Sequence, residues 1–425
     1  MTPRERNSVA GVEAPATRPS GPEGTALPRS TILVLAVACG LCVANLYYIQ
    51  PIMQEMAAAL RTTPDTLTRA VSCTQLGYAV GLVALVPLGD ATDRRRLLSV
   101  LMASTTAVLA VIPFASGAVL LCLCFLLGLV TVSAMVILPQ AANMALPEQR
   151  GRVVGTVMTG LILGALLCRT FAGLLADVAG WRAVFWSAAG LMLAVGLAVR
   201  RVLVPTASAG PISPRAYLRL LASLAALVRH SPVLVERTLY GACGMAAFSI
   251  LWTALPLRLG QPPYEFGPAA IGLMGLLGAA GALGASLAGR LADGGRQTMV
   301  TATAFTAILL SFAVASAHGA SIAVLSGAVL LVDFSVQAAH ITNQATIFAD
   351  ADGGTRSRVN TVYMTAYFLG GSLGSAAAGA AWPYGGWSTV APLGVGVAGL
   401  ALLLLLGHRV LRRRRDSPTT PEGKH

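Results

Sequence analysis

Apolar residues run through this chain in long stretches, and its polar positions gather in short breaks between them. A helix needs about 20 residues to cross the hydrocarbon core of a bilayer. Stretches of that size occur at roughly 31–50, 67–88, 98–115, 118–144, 153–177 and 183–203, then at 234–255, 268–289, 299–316, 320–347, 358–381 and 387–407. The longest interruption, 204–232, carries Pro205, Pro211, Pro214 and several arginines and divides the spans six and six. Within it, Tyr217 to Val228 reads as a short amphipathic helix on the membrane surface. The pattern predicts an all-α membrane protein of twelve transmembrane helices in two six-helix pseudo-symmetric halves. Its parts are a cytoplasmic tail at 1–29, a half at 30–203, a linker at 204–232, a half at 233–408 and a basic tail at 409–425, of which Arg412 to His425 is expected to have no fold of its own.

The halves repeat one another. Arg152, Val153, Met158, Thr159, Leu163, Gly164, Leu167, Ala172, Gly173, Gly180 and Trp181 recur 206 residues later as Arg358, Val359, Met364, Thr365, Leu369, Gly370, Leu373, Ala378, Gly379, Gly386 and Trp387. Like-oriented repeats set side by side in a membrane leave a central cleft, the architecture of a transporter.

Composition agrees: 55% of residues are hydrophobic and 11% charged, with strongly positive mean hydropathy. The net charge of +13 reflects topology and gives no reason to invoke nucleic acid. With both termini cytoplasmic, the inner segments hold 24 of the 30 basic residues, as the positive-inside rule requires of a multi-pass plasma-membrane protein. That basic rim also favours anionic lipid headgroups of the inner leaflet. Residues 1–29 have no apolar core, so the first span is expected to serve as its own insertion signal. The seven cysteines all lie in predicted spans, and Cys39-x-x-Cys42 reads as small-residue packing on one apolar helix. Gly394, Gly396 and Gly399 spell a dinucleotide fingerprint inside the last span, without the strand and acidic residue such a site needs. No nucleotide-binding loop occurs, and the five histidines are scattered, which argues against ATP drive, a metal centre and a membrane enzyme. A sensor or scaffold would usually add a sizeable soluble domain.

Between spans two and three stands Gly89-Asp90-Ala91-Thr92-Asp93-Arg94-Arg95-Arg96, and the second half has Gly289-Arg290-Leu291-Ala292-Asp293-Gly294. With twelve spans and a long middle loop, these resemble the loop signature of the major facilitator superfamily. In the first copy Val86, Ala91 and Asp93 replace that signature's Gly, Arg and Gly. The resemblance implies a cytoplasmic gate built from Asp90, Arg94, Arg95, Arg96 and Asp293; the alternative is a solvated charged loop. Span five is similar to the glycine-rich motif of drug-and-proton antiporters through Gly160, Gly164, Gly173 and Gly180-Trp181-Arg182, although Cys168-Arg169 stands at the motif's Gly-Pro step. Gly370, Gly374 and Gly379 are the related positions of span eleven, and small residues so spaced let helices approach closely. The run Asn45-Leu46-Tyr47-Tyr48-Ile49-Gln50-Pro51 looks like the efflux-permease branch. The superfamily's basic residue in span four is absent, with Cys124 in its place. The resemblance implies export coupled to the proton gradient, no cofactor and a monomer.

Charge inside a membrane is costly unless it is paired or solvated, so each instance is a functional candidate. Arg169 in span five and Asp333 in span ten read as the formal charges near mid-depth. Asp333, Gln337, His340 and Gln344 follow i, i+4, i+7, i+11 spacing and share one helical face. Arg169 and Asp333 are expected at similar depth, where they would pair or share a water in one access state; a static pair, or an Arg169 reaching for the outer surface, are the alternatives. Further candidates for substrate contact or coupling are Asn45, Tyr48, Gln75, Trp252, Tyr363 and Tyr367. Tyr47, Tyr48 and Trp252 also suit an aromatic belt at the interface. So few charges among aromatic faces fit a lipophilic or weakly polar small molecule, with a sugar or nucleoside as the other reading.

Overall fold

The computed structural model describes residues 27–416 apart from 91, 204–212, 292–295, 320 and 353–354, and does not describe the side chains of 90, 214, 282–291 and 411–416. Among the described residues all regular structure is helical. The first half comprises α1 (Arg29–Ala44), α2 (Ile49–Ala59), α3 (Pro64–Ala84), α4 (Arg94–Val111), α5 (Gly117–Val130), α6 (Ser133–Met144), α7 (Arg150–Ala179) and α8 (Trp181–Val202). After α9 (Pro214–His230) come α10 (Pro232–Leu259), α11 (Pro268–Leu291), α12 (Gln297–His318), α13 (Ile322–Asp350), α14 (Arg356–Gly385) and α15 (Trp387–Asp416). By length and apolarity alone, nine described helical spans can cross a membrane, with α5 and α6 counted as one, or ten with the bent α1–α2 pair joined. α14 is not among them. Its interior carries buried polar positions such as Thr361, Ser372 and Ser375, which are covered by other helices.

Two predicted spans are not single helices. The first bends by 45° between α1 and α2, because Pro51 cannot donate an amide to Tyr47 and Asn45–Tyr48 take turn geometry instead. The fourth breaks between α5 and α6. The two breaks face each other: Asn45 Nδ2 donates to Thr131 Oγ1 at 3.0 Å, and the Thr131 hydroxyl donates to the Cys42 carbonyl at 2.9 Å. Side chains therefore satisfy the backbone that a straight helix would have satisfied itself.

Arginines mark one end of the bundle, at the starts of α4, α7 and α14 and the end of α8. We call this the basic face and its opposite the far face. On the basic face α9 has one apolar and one polar side, and Tyr217 donates its hydroxyl to the Ala84 carbonyl at the end of α3, 2.9 Å away. The tail expected from 409 onward is not unfolded throughout, because α15 continues to Asp416. Residues 1–26 of the predicted first tail lie outside the described residues.

Glycines set the helix spacing. A Cβ on Gly160 would strike the Ala36 carbonyl, and one on Gly164 the backbone of Gly40, so α1 and α7 touch through bare backbone. In the second half Gly370 meets Ala242 and Gly374 meets Ala246, joining α10 to α14. Gly370 is the counterpart of Gly164, so a bare-backbone seam recurs in the second half. Between halves, Gly173 lies against Pro268 and Gly272, and Gly379 against Thr68.

Candidate functional site

Midway through the bundle, the α1–α2 break, α7, α10, α13 and α14 surround a small cavity of about 90 Å³. Arg169 and Asp333 both line it, with Tyr47, Met245, Phe248, Gln337 and Tyr367 among the walls. Arg169 is 2% exposed. Its Nε donates to Gln50 Oε1 at 2.7 Å and its Nη1 to the Ala165 carbonyl at 3.1 Å, both neutral acceptors, while Nη2 has no hydrogen-bond partner. Aromatic rings supply the rest of its environment: the guanidinium carbon lies 4.2 Å from the Trp252 ring centroid, 4.5 Å from Tyr47 and 5.3 Å from Phe248. A cation desolvated between π-faces gains about 2 kcal/mol.

Asp333 does not touch Arg169. Its Oδ2 accepts from Trp252 Nε1 at 3.0 Å, so one indole has the cation on its face and the carboxylate on its edge. The expected ion pair is absent in this arrangement, and Trp252 contacts both partners. Arg169 does not reach for the outer surface either. Trp252, Tyr47 and Tyr48, for which an interface belt was one reading, are buried. The reason for the first two is their contact with Arg169; Tyr48 packs against Phe171.

The polar stripe of α13 descends from the cavity toward the basic face. Gln337 lines the cavity beside Asp333. Next, His340 Nδ1 lies 2.9 Å from the Tyr363 hydroxyl, and its ring lies tilted against Tyr367 at 4.7 Å between centroids. Then Gln344 Nε2 donates to Asn360 Oδ1 at 3.3 Å. All three therefore look toward α14 or the cavity.

Other candidates hold the scaffold together. Gln75 Nε2 donates to Ser249 Oγ at 3.2 Å, Ser372 Oγ to the Ser72 carbonyl at 2.9 Å and Ser375 Oγ to the Thr68 carbonyl at 3.4 Å, all between the halves. Thr170 Oγ1 donates to the Gly272 carbonyl at 2.9 Å, and Gln54 Nε2 to the carbonyls of Pro256 at 2.8 Å and Leu257 at 3.3 Å. Among the described residues, these bonds between halves lie from mid-depth to the far face. Asn45 pins the helix break and does not line the cavity. At the basic face Arg94 donates to the Gly89 carbonyl and to Gln140 Oε1, and Arg95 to the Arg200 carbonyl. Arg96 is exposed. The side chain of Asp90 and all of Asp293, expected in a gate, lie outside the described residues.

Sequence reasoning passed over Gln50 and Phe248, whose roles appear only once α2 and α10 are brought to Arg169. It also passed over two charges in span seven, Glu236 and Arg237, which are 7% and 3% exposed. Arg237 Nη1 donates to Thr301 Oγ1 at 3.2 Å, and the Tyr240 hydroxyl lies 3.4 Å from Glu236 Oε1 and 3.0 Å from His408 Nδ1. This cluster ties α10 to α12 and α15 near the basic face. Its signal was legible as adjacent opposite charges inside an apolar run.

The sequence profile of the Major Facilitator Superfamily matches residues 35–375. An uncharacterized transporter, YgaY, of Escherichia coli O157:H7 is 40% identical over 380 residues, covering 89% of this chain and 95% of its own. A probable transporter, SCO4007, of Streptomyces coelicolor is 33% identical over 407 residues, covering 95% and 91%. In fold the chain is similar to the crystal structure of a bacterial homologue of the human lysosomal transporter Spinster, in an inward-facing and unoccupied conformation. The TM-score is 0.65 at 14% identity, with 89% of this chain and 93% of that one covered. With the profile spanning most of its length and two relatives above 30% identity matched almost end to end, the chain belongs to the Major Facilitator Superfamily.

Proposed function

We propose that this membrane transporter exports small amphiphilic molecules across the plasma membrane in exchange for protons, by alternating access between its halves and with both termini cytoplasmic. The observation that carries the reading is one cavity at the seam of the halves that holds a buried cation, a buried carboxylate and aromatic walls. About 90 Å³ holds roughly three waters, whereas pockets for drug-sized ligands start near 300 Å³. Substrate entry therefore requires the halves to part. Among the described residues, hydrogen bonds between the halves run from mid-depth to the far face, so opening on the far side requires breaking them.

Asp333 is the group that can take and release a proton at the cavity, and Tyr47, Phe248 and Trp252 offer an apolar body its contact surface. Exchange requires that the protonated acid and the bound substrate do not share the site, so that each leaves before the other enters. Purified protein in proteoliposomes tests this with a cationic, a neutral and an anionic fluorescent amphiphile. The expected result is flux of at least one that rises when a pH gradient is imposed and moves against the proton. Gradient-independent flux would refute proton coupling, and flux of a sugar or nucleoside alone would replace the amphiphile reading.

A further inference from the structure

Trp252 touches both charges of the site with chemically different parts of one side chain. Its π-face carries the Arg169 guanidinium at 4.2 Å, and its only polar atom donates to Asp333 at 3.0 Å. We propose that Trp252 is a removable spacer: the indole keeps the carboxylate and the guanidinium from forming a contact ion pair, so that both stay available for exchange.

Indole has a single donor and no acceptor, so this bond can serve only a carboxylate or another acceptor. Arg169, for its part, is held by Gln50 and a backbone carbonyl, with Tyr47 and Phe248 closing its other sides. Each charge is thus solvated by neutral groups and not by the other. Tyr47 and Tyr367 are the other titratable side chains lining the cavity with the carboxylate, with His340 two turns along α13. A contact pair in such a buried site resists separation by a factor of about a hundred to several thousand, and a cycle that had to break one at every turn would stall there. The spacer lets the pair form only in a state where α10 has moved the indole away. Trp252 also sits in the last two turns of α10 before Pro256, the helix whose end Gln54 grips from the other half. Movement of the halves therefore acts directly on the spacer.

The position leaves little slack. Gly278 of α11 lies against both Asp333 and the Trp252 ring, and a Cβ there would come to about 3 Å from each. Trp252→Phe keeps a ring beneath the guanidinium and removes the donor.

The proposal rests on the transport reading only for its second arm. In the first, Arg169→Gln, Asp333→Asn and the double variant are made in the native and the Trp252→Phe backgrounds, and thermal unfolding of each purified protein is followed. With the native indole the two substitutions should be only weakly coupled, because they share a ring and a cavity but no contact pair. In the Phe background the coupling should grow by a factor of about ten or more. Equal coupling in both backgrounds overturns the spacer. If Trp252→Phe cannot be purified, Trp252→Tyr, which moves the donor away from Asp333, is read in the same way. In the second arm, Trp252→Phe should lower exchange turnover about tenfold or more with KM changed less than twofold. A raised KM at native turnover assigns the residue to substrate contact and overturns the proposal. Flux failing in every protein while coupling appears in the Phe background would leave the spacer standing and sink the transport reading.

Discussion

Removing the Gln54 carboxamide should open the far face. This side chain of α2 reaches across to the other half, where its Nε2 donates to the carbonyls of Pro256 and Leu257 in the last turn of α10. The Gly260 amide also donates to Pro256, so the Leu257 carbonyl loses more when Gln54 is cut back. A net hydrogen bond contributes about 1 kcal/mol, and an orphaned, half-buried carbonyl costs about 1–3 kcal/mol. In the open state water replaces the amide, so Gln54→Ala should shift the equilibrium toward far-face opening by about 1–2 kcal/mol, or roughly 5- to 30-fold. Gly260→Ala provides an independent route, because its Cβ would occupy the place of the Gln54 amide. The reporter is Ser375→Cys in a chain lacking the seven native cysteines; Ser375 is buried between Thr253 and Thr68 at the seam. Labelling by a membrane-impermeant maleimide from the far side should accelerate by that factor in both variants. Unchanged labelling in both would refute the role assigned to this contact.

Gly164→Ala should destabilise the protein by about 1–3 kcal/mol by forcing α1 from α7, whereas Gly155→Ala, which meets nothing within 4 Å, should be neutral or stabilise by up to about 1 kcal/mol; thermal unfolding in detergent distinguishes the two, and equal effects would sink the close-approach argument. Gln50→Leu should lower stability by about 1–3 kcal/mol, because Arg169 Nε then loses its acceptor in a buried site; a variant as stable as the native protein would show that the guanidinium finds another partner. Reporter fusions within residues 204–232 should read cytoplasmic, and an external reading would overturn the orientation drawn from 24 of 30 basic residues.

The scaffold was legible because its signals are local. A twenty-residue apolar run is a span wherever it occurs, and a glycine at close approach recurs in the other half as Gly370 or Gly379. Faces were legible too: the spacing of Asp333, Gln337, His340 and Gln344 puts them on one side of a helix, and that side faces the cavity and α14. What the sequence could not show is how elements distant in the chain meet. Trp252 reads as a candidate for substrate contact or for an interface belt, and its contacts with both Arg169 and Asp333 appear only once α7, α10 and α13 are brought together. Gln75 reads as a candidate for substrate contact, yet its partner Ser249 on α10 makes it part of the seam. Gln54, in the polar stretch after the first apolar run, gives no sign of the Leu257 carbonyl 203 residues away. The breaks at Asn45–Tyr48 and Thr131–Val132 were hidden for another reason: Asn45 and Thr131 bond to each other and to the Cys42 carbonyl across two distant spans, so neither break needs a run of turn residues.

The most direct test of the central claim is proton-driven flux by Asp333→Asn in proteoliposomes, beside the native protein at equal incorporation. Asparagine keeps an oxygen to accept from Trp252 and removes the site that binds a proton. The native protein should transport faster when a pH gradient is imposed, and Asp333→Asn should keep at most a slow flux indifferent to the gradient. Full pH-dependent transport by Asp333→Asn would contradict the account and move the coupling group elsewhere on the α13 stripe, to His340.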